Sequence, residues 1–171
     1  MRTFILSLLC VVTTVLGSDD SFKAGSFTFQ KPASFKAKPT PPGGMRAAQL
    51  EYTADGKTAE AIFYFFGQGQ GGGTQANVDR WLGSFQEPKE KINSKVGKKK
   101  VGSGEVTYVE AEGTYMSGMP GAPKTPQPGT KLLGAILESP NGNVFVRMTG
   151  PAAAVKAADG DFRKMIESAL K

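Results

Sequence analysis

The alternation of apolar and polar residues predicts β-strands through much of the chain. Residues 45–54 alternate, and Asp55-Gly56 then favours a hairpin turn because glycine tolerates the positive φ that such a turn requires. The partner strand, residues 57–66, ends in an apolar run typical of a central strand covered on both faces. Further strands are predicted at residues 26–29, 95–101, 105–115, 131–138 and 143–149. Residues 31–44 carry four prolines and predict an extended connection with little regular structure.

Two segments have the apolar period of a helix instead. The first follows the glycine-rich residues 67–73, with Thr74 as a cap residue and Pro88 after its end. The second opens at Gly150-Pro151 and runs to the end of the chain. The stripes predicted to be buried are Val78, Trp81, Leu82 and Phe85 in the first helix, and Val155, Ala158, Phe162, Met165, Ile166 and Ala169 in the second. This order of elements predicts an α+β fold, a sandwich built on an antiparallel β-sheet with helices packed on its faces.

The amino terminus, residues 1–17, predicts a secretory signal peptide. Arg2 precedes an uncharged apolar run, and small or medium-sized residues up to Gly17 resemble a cleavage site. Cys10 lies in this run and could carry a lipid, but the sequence before Gly17 fits cleavage better. We therefore expect an exported protein, periplasmic or extracellular. Residues 18–25 are predicted to be a flexible N-terminal segment, residues 26–171 a single α+β domain, and residues 116–130 a flexible loop within it.

Composition limits the chemistry of the domain. The chain has no histidine, and Cys10, its one cysteine, would leave with the signal peptide. Zinc sites and hydrolase triads need these residue types, and the acids lack calcium-loop spacing, so we expect no metal, no other cofactor and no enzyme. The 21 Lys and Arg against 15 Asp and Glu favour weak association with anionic surfaces. We expect no nucleic-acid partner outside the cytoplasm, and no transmembrane segment because spanning a bilayer takes about 20 apolar residues.

The glycine-rich segment before the first helix is the most suggestive motif. Gly67 to Gly72 matches G-x-G-x-x-G, the pattern that lets a pyrophosphate approach the start of a helix. A dinucleotide site needs a parallel βαβ unit, however, and the preceding strand is predicted to pair through a hairpin. A simple anion site at Gly71, Gly72, Gly73 and Thr74 is the functional alternative, and a plain flexible connection is the other interpretation.

Three further clusters have both a functional and a structural interpretation. Glu110 and Glu112 share one face of a strand. They are either a pair of catalytic carboxylates or part of a surface that faces solvent. Ser168 and Lys171 match S-x-x-K, but they are too close to the end of the chain to be held in place. Lys98 to Lys100 form a patch for anionic partners or a lysine-rich edge strand that resists aggregation. The structural interpretation is favoured for all three.

Several segments resemble a group of exported, uncharacterised bacterial proteins. They are residues 59–66, the glycine-rich loop, residues 77–85, and Met148 to Pro151 before the last helix. The fold of that group is similar to the α/β/α sandwich of the photosystem II extrinsic protein PsbP and the Ran-binding Mog proteins. The resemblance implies a non-enzymatic domain that works by binding other proteins, and it carries over no contact residue.

The sequence thus predicts a non-catalytic exported domain that binds or helps to assemble another envelope or secreted protein. The alternative is a small-anion or small-molecule site at the Gly-rich loop, residues 67–74. A third hypothesis, a carboxylate hydrolase, would depend on Glu110.

Overall fold

The computed structural model describes residues 20–118 and 121–171, and the predicted signal peptide lies outside these ranges. Within them the strands are β1 (Ser21–Ala24), β2 (Phe27–Gln30), β3 (Phe35–Lys38), β4 (Arg46–Ala54), β5 (Lys57–Phe65), β6 (Lys95–Val101), β7 (Gly104–Ser117), β8 (Thr125–Leu137) and β9 (Val144–Pro151). The helices are α1 (Thr74–Leu82) and α2 (Ala152–Ser168), with a short 3-10 turn at Lys89–Lys91.

Strands β3 to β9 form one antiparallel sheet in the order β3-β4-β5-β9-β8-β7-β6. The strands β1 and β2 form a separate hairpin. Asp55 and Gly56 have φ angles of 50° and 70°, which is the left-handed conformation that the predicted turn between β4 and β5 requires. β6 and β3 are the two edges of the sheet, and β9 lies at its centre.

The two faces of the sheet carry separate cores. On the first, which we call the α2 face, α2 and the β1–β2 hairpin cover Phe63, Leu133 and Val146. On the second, the α1 face, α1 and the segment that follows it cover Ile136 and Phe145. The predicted stripes of both helices are buried, with the carboxyl-terminal Ala169 of the second only partly so.

A close approach fixes the position of α1 on its face. A Cβ atom on Gly134 would lie 2.3 Å from the Trp81 ring, so the absence of a side chain on β8 lets the indole rest on the sheet. Trp81 is 5 % exposed, which confirms its prediction as a core residue.

The predicted α/β/α sandwich is wrong. Of the described residues, 49 % are in strands and 19 % in helices, so this part of the chain is mostly β, and the one helix on each face does not form a helical layer. A sheet of seven strands is about 30 Å wide, whereas a single helix covers roughly 10 Å of it. The short helix α1 therefore covers only part of its face, and half-buried polar side chains such as Gln49, Glu51 and Glu60 occupy the β4 and β5 part.

Three segments expected to be irregular contain strands. β1 lies in the predicted flexible segment 18–25, and β3 lies in the proline-rich connection, held by the buried ring of Phe35. The predicted flexible loop at 116–130 is mostly the extension of the β7–β8 hairpin, in which Ser117 pairs with Thr125. Before Thr130, β8 pairs with β7 alone, so Pro126 and Pro128 in this part of the strand interrupt no hydrogen bonds to a second neighbour.

Candidate functional site

The glycine-rich loop ends at the amino terminus of α1, as the sequence predicts. Gly73 is the residue before the helix, and Thr74 is its first residue. The buried side chain of Asn77 donates hydrogen bonds to the carbonyl oxygens of Gly71, at 2.9 Å, and Gly73, at 3.0 Å. These bonds hold the loop against the helix through its carbonyl groups.

A carboxylate already lies beside this helix terminus. The hydroxyl of Thr74 donates a hydrogen bond to Glu138, which follows β8. A cavity of about 310 Å³ adjoins the loop, lined by Gly69, Gln70, Gly72, Gly73, Ser139, Pro140, Gly142 and Asn143. An anion entering near Thr74 would be repelled by the Glu138 charge, so the geometry opposes the anion site at Gly71 to Thr74, which stays a prediction.

A second cavity, of about 390 Å³, lies on the α2 face between β6, β7 and α2. We call it the basic groove, lined by Lys95, Gly97, Lys98, Lys99, Tyr108, Glu110 and Arg163. The register of β6 and β7 brings Lys95 opposite Glu110 and Lys99 opposite Val106, and Arg163 reaches the groove from α2. Three elements that are distant in sequence thus bring the cationic side chains of Lys95, Lys99 and Arg163 together with the Glu110 carboxylate, whereas the side chain of Lys98 projects from the other face of β6.

The lysines belong to an exposed edge strand, which favours charged residues that discourage unwanted pairing. Lys98 contacts Glu105 and Lys99 contacts Glu167, each at 2.7 Å. The hydrogen bond to Glu105 raises the pKa of Lys98. Lys95 and Lys100 take part in no ion pair within residues 20–118 and 121–171, so their charges are open to solvent.

The floor of the basic groove is an ordered ion-pair network. The Arg163 guanidinium lies 4.5 Å from the ring centroid of Tyr108, its Nε donates to Asp159 at 2.7 Å, and its Nη2 donates to Glu110 at 2.8 Å. Lys131 donates to the second oxygen of Glu110 at 2.9 Å. The cations of this network are therefore held in place by carboxylates.

The network sets the protonation states of the groove. Burial alone would raise the pKa of Glu110, but the hydrogen bonds and charges of Lys131 and Arg163 outweigh it and lower that pKa. Burial, with the nearby Glu167 charge, raises the pKa of Tyr108. Near neutral pH Glu110 is therefore an anion held by two cations, and Tyr108 is a neutral phenol.

The other clusters singled out in the sequence are engaged in structural contacts. Glu112 pairs with Lys156 at 2.9 Å, and Glu110 belongs to the network above, so the two carboxylates have cationic partners. The hydroxyl of Ser168 donates to the Met165 carbonyl at 2.7 Å and accepts from the Gln30 amide at 2.9 Å. Among the described residues, no three Asp, Glu, His or Cys side chains are grouped as a metal site would require.

Of the residues that line the basic groove, sequence patterns singled out Lys98 and Lys99 as part of a lysine patch and Glu110 as one of two carboxylates, without placing them together. They missed Lys95, Tyr108 and Arg163, since nothing local marks them as neighbours. The alternation in β7 is a usable signal, because Tyr108 lies on the same face as Val106, but strand register is needed to bring it next to Arg163.

Comparison with known proteins gives no relatives: no protein-family model matches the chain, and no curated protein is significantly similar to it. The resemblance to the exported bacterial group related to PsbP and the Mog proteins thus stays a prediction. In the described part of the chain, neither helix has the length and apolar character needed to cross a bilayer.

Proposed function

We propose that this chain is a non-catalytic, exported domain that binds an acidic segment of another envelope or secreted protein. The observation that carries the proposal is the basic groove, where three cationic side chains and one carboxylate share one face beside an edge strand. A surface of this charge attracts carboxylate-rich partners and accelerates their encounter.

The edge strand suggests how such a segment would bind. β6 pairs with β7 on one side, which leaves the N–H and C=O groups of its other side available for an added strand. An extended acidic segment would satisfy these groups and place its carboxylates near Lys95 and Lys99, which project from the same face of β6. Neutral or basic strands would leave the lysines unpaired, so the same side chains that discourage aggregation would select acidic partners.

Peptide binding tests the proposal directly. A fluorescent peptide of alternating Glu and Val should bind, its affinity should fall with added salt, and the same peptide with Lys for Glu should not bind. The double variant Lys95→Glu/Lys99→Glu should weaken binding by at least about tenfold, which is about 1.4 kcal/mol. Lys36→Glu/Lys57→Glu is the matched control, because it makes the same charge change at exposed residues of β3 and β5.

Equal affinity in the two double variants would show that only net charge matters and would contradict a site on β6. Failure of the acidic peptide to bind at low salt would contradict the proposal as a whole. Export is tested separately by the intact mass of the protein from its native cells. We expect a chain beginning near Ser18, and an uncleaved cytoplasmic chain would be inconsistent with export.

A further inference from the structure

Gly97 lies in the middle of the edge strand β6, exposed to solvent on the lining of the basic groove. Glycine weakens a strand, because it has no side chain to pack and loses more conformational freedom on folding than any other residue. A glycine inside a strand is therefore explained by its backbone conformation or by a close contact. Neither explanation applies to Gly97 within a single chain.

The other glycines of the described strands have such an explanation. Gly129 has a φ of 67°, and a Cβ atom on Gly134 would clash with the Trp81 ring. A Cβ atom would also lie closer than 3.0 Å to existing atoms at Gly104, Gly113 and Gly150. The φ of Gly97 is not in the positive region, and a Cβ atom on it would meet nothing within 4 Å. The fold therefore does not require glycine at this position.

The space above Gly97 is bordered by cationic and aromatic groups. Lys95 and Lys99 lie two residues before and after Gly97 in β6, and their side chains project from the same face. Tyr108 is the direct strand partner of Gly97, and the Arg163 guanidinium lies 4.5 Å from the centroid of the Tyr108 ring. The missing side chain thus leaves a gap between two lysines, next to a tyrosine and an arginine.

The charges around this gap favour an anion. Lys95 takes part in no ion pair among residues 20–118 and 121–171. The carboxylates of Glu110 and Glu167 are near the gap but already paired, since Glu110 accepts hydrogen bonds from two cations and Glu167 contacts Lys99 at 2.7 Å. A carboxylate placed above Gly97 would therefore meet an ammonium group that has no other ion-pair partner in this part of the chain.

A strand added to β6 would place one of its side chains in this gap. Directly opposed side chains on neighbouring strands have Cβ atoms about 4.5–5.5 Å apart, and long side chains also reach their diagonal neighbours. The residue opposite Gly97 would therefore extend across the glycine, between Lys95 and Lys99. Glutamate suits this position, because its side chain is long enough to cross the glycine and its charge is opposite to that of the lysines.

The other face of β6 determines the neighbours of this glutamate in the added strand. Val96 is 48 % exposed and is the direct strand partner of Val109, which is buried in the α1 core. An apolar residue opposite Val96 would cover it and extend that core to the added strand. Glutamates that alternate with apolar residues therefore match both faces of β6.

We infer that Gly97 is a specificity-determining residue of the basic groove, because the side chain that it lacks leaves space for a glutamate of the bound segment. This inference rests on the proposed function and defines the acidic segment further, as one in which glutamates alternate with apolar residues. A larger residue at position 97 would fill the space and keep the glutamate from Lys95 and Lys99, but it would leave the free edge of β6 unchanged.

Two peptides and one substitution test this inference. The peptides alternate Glu with Val or Asp with Val, so they have equal charge and differ by one methylene group in each acidic side chain. Gly97→Val should weaken binding of the Glu-Val peptide by about tenfold or more. It should weaken binding of the Asp-Val peptide much less, because the shorter side chain crosses less of the glycine. Comparing the ratio of the two affinities between wild type and variant cancels the strand propensities of the peptides themselves.

Ala37→Val is the matched control, because it adds apolar bulk at an exposed residue between two lysines of the other edge strand, β3. It should leave both affinities unchanged. Urea denaturation should show that Gly97→Val is at least as stable as the wild type, since valine favours strands and the position is open. If this variant is destabilised, Gly97→Ala adds only the Cβ atom that the fold accommodates, and it should change the affinity ratio in the same direction by less.

The results separate this inference from the proposed function. Failure of the wild type to bind either peptide would contradict both. Binding by the wild type, with the same Glu-Val to Asp-Val affinity ratio in the position-97 variants, would overturn the inference alone. That conclusion would hold whether the two affinities are both kept or both fall equally, because an equal fall would mean that the added bulk blocks the strand edge as a whole.

Discussion

The two faces of the sheet each hold an arginine against a tyrosine ring, and the two pairs differ in how the arginine is compensated. On the α2 face, Arg163 lies 4.5 Å from the Tyr108 ring and bonds to the carboxylates of Asp159 and Glu110. On the α1 face, Arg147 lies 5.9 Å from the Tyr115 ring, and its Nε has no partner within the described residues. The same residue types thus form a hydrogen-bonded ion-pair network on one face, and on the other they leave a buried N–H group without a partner.

The difference teaches that an arginine beside an aromatic ring cannot be assigned a role from that contact alone. A hydrogen bond to a charged group contributes about 1.5–3 kcal/mol, whereas an unsatisfied buried donor costs about 1–3 kcal/mol. We therefore expect Arg163 to stabilise the fold and Arg147 to contribute little or nothing to its stability. The following predictions test that distinction, from the largest expected effect to the smallest.

Removing the cover of the α1 face should have the largest effect on stability. Trp81→Ala deletes the ring that rests on Gly134, which is the direct strand partner of Arg147. We expect a loss of about 3–5 kcal/mol in the free energy of unfolding, measured by urea denaturation. Phe162→Ala on the α2 face is the comparison, since Phe162 is fully buried, and its loss should be similar. A loss of less than about 1 kcal/mol for Trp81→Ala alone would mean that α1 forms no true core.

Replacing each arginine by methionine should show that the two residues contribute differently to the free energy of unfolding. Arg163→Met removes bonds to Asp159 and Glu110, and we expect it to lower the free energy of unfolding by about 1–2 kcal/mol. Arg147→Met removes an unpaired donor while it keeps an apolar stem, so the change should stay within about 0.5 kcal/mol or be stabilising. Equal destabilisation in the two variants, measured in the same denaturant series, would contradict the distinction.

Acidification should lower the free energy of unfolding, because it protonates Glu110 on the α2 face. Its pKa in the folded protein is lowered from 4.5, because the hydrogen bonds and charges of Lys131 and Arg163 outweigh the effect of burial. Its contribution is then fully present above pH 4.5 and is lost as the pH falls through the lower folded pKa. Glu110→Gln should cost about 1 kcal/mol at neutral pH, and the difference from wild type should shrink in acid.

Stability curves at several pH values, with Glu90→Gln as a control, will measure this effect. Glu90 is an exposed residue of the 3-10 turn and belongs to none of the ion pairs found in the described residues. A difference between Glu110→Gln and wild type that does not change with pH would mean that the Glu110 charge contributes little.

Local patterns explain how much of this molecule could be predicted from sequence. β6 agrees with its prediction because Lys95 to Val101 is bounded by clear turn residues, and α2 agrees because its apolar period is helical. The overall class could not be predicted in the same way. Whether one short helix covers a face depends on the width of the sheet, and that width depends on pairings such as Ser117 with Thr125.

The surroundings of Arg163 and Arg147 could not be predicted from sequence. Tyr108 and Arg163 come together only through the register of β7 and the docking of α2, and no local pattern records either. Arg147 interrupts the apolar alternation of β9, which marks it as unusual. That its Nε lacks a partner depends on neighbouring strands, where Glu60 turns towards Gln49.

The smallest effect on stability is expected at the rim of the basic groove, and there it should be accompanied by a larger effect on binding. Lys99 contacts Glu167 at 2.7 Å, but its side chain is 54 % exposed, so Lys99→Ala should change the free energy of unfolding by less than about 0.5 kcal/mol. If the groove binds acidic segments, the same variant should weaken binding of the Glu-Val peptide, because one of the three cationic side chains on the groove face is gone. The Arg147→Met variant should bind that peptide as the wild type does, since its change lies on the opposite face. A Lys99→Ala protein with reduced stability and unchanged peptide binding would reverse the assignment, making Lys99 a structural residue of the α2 face.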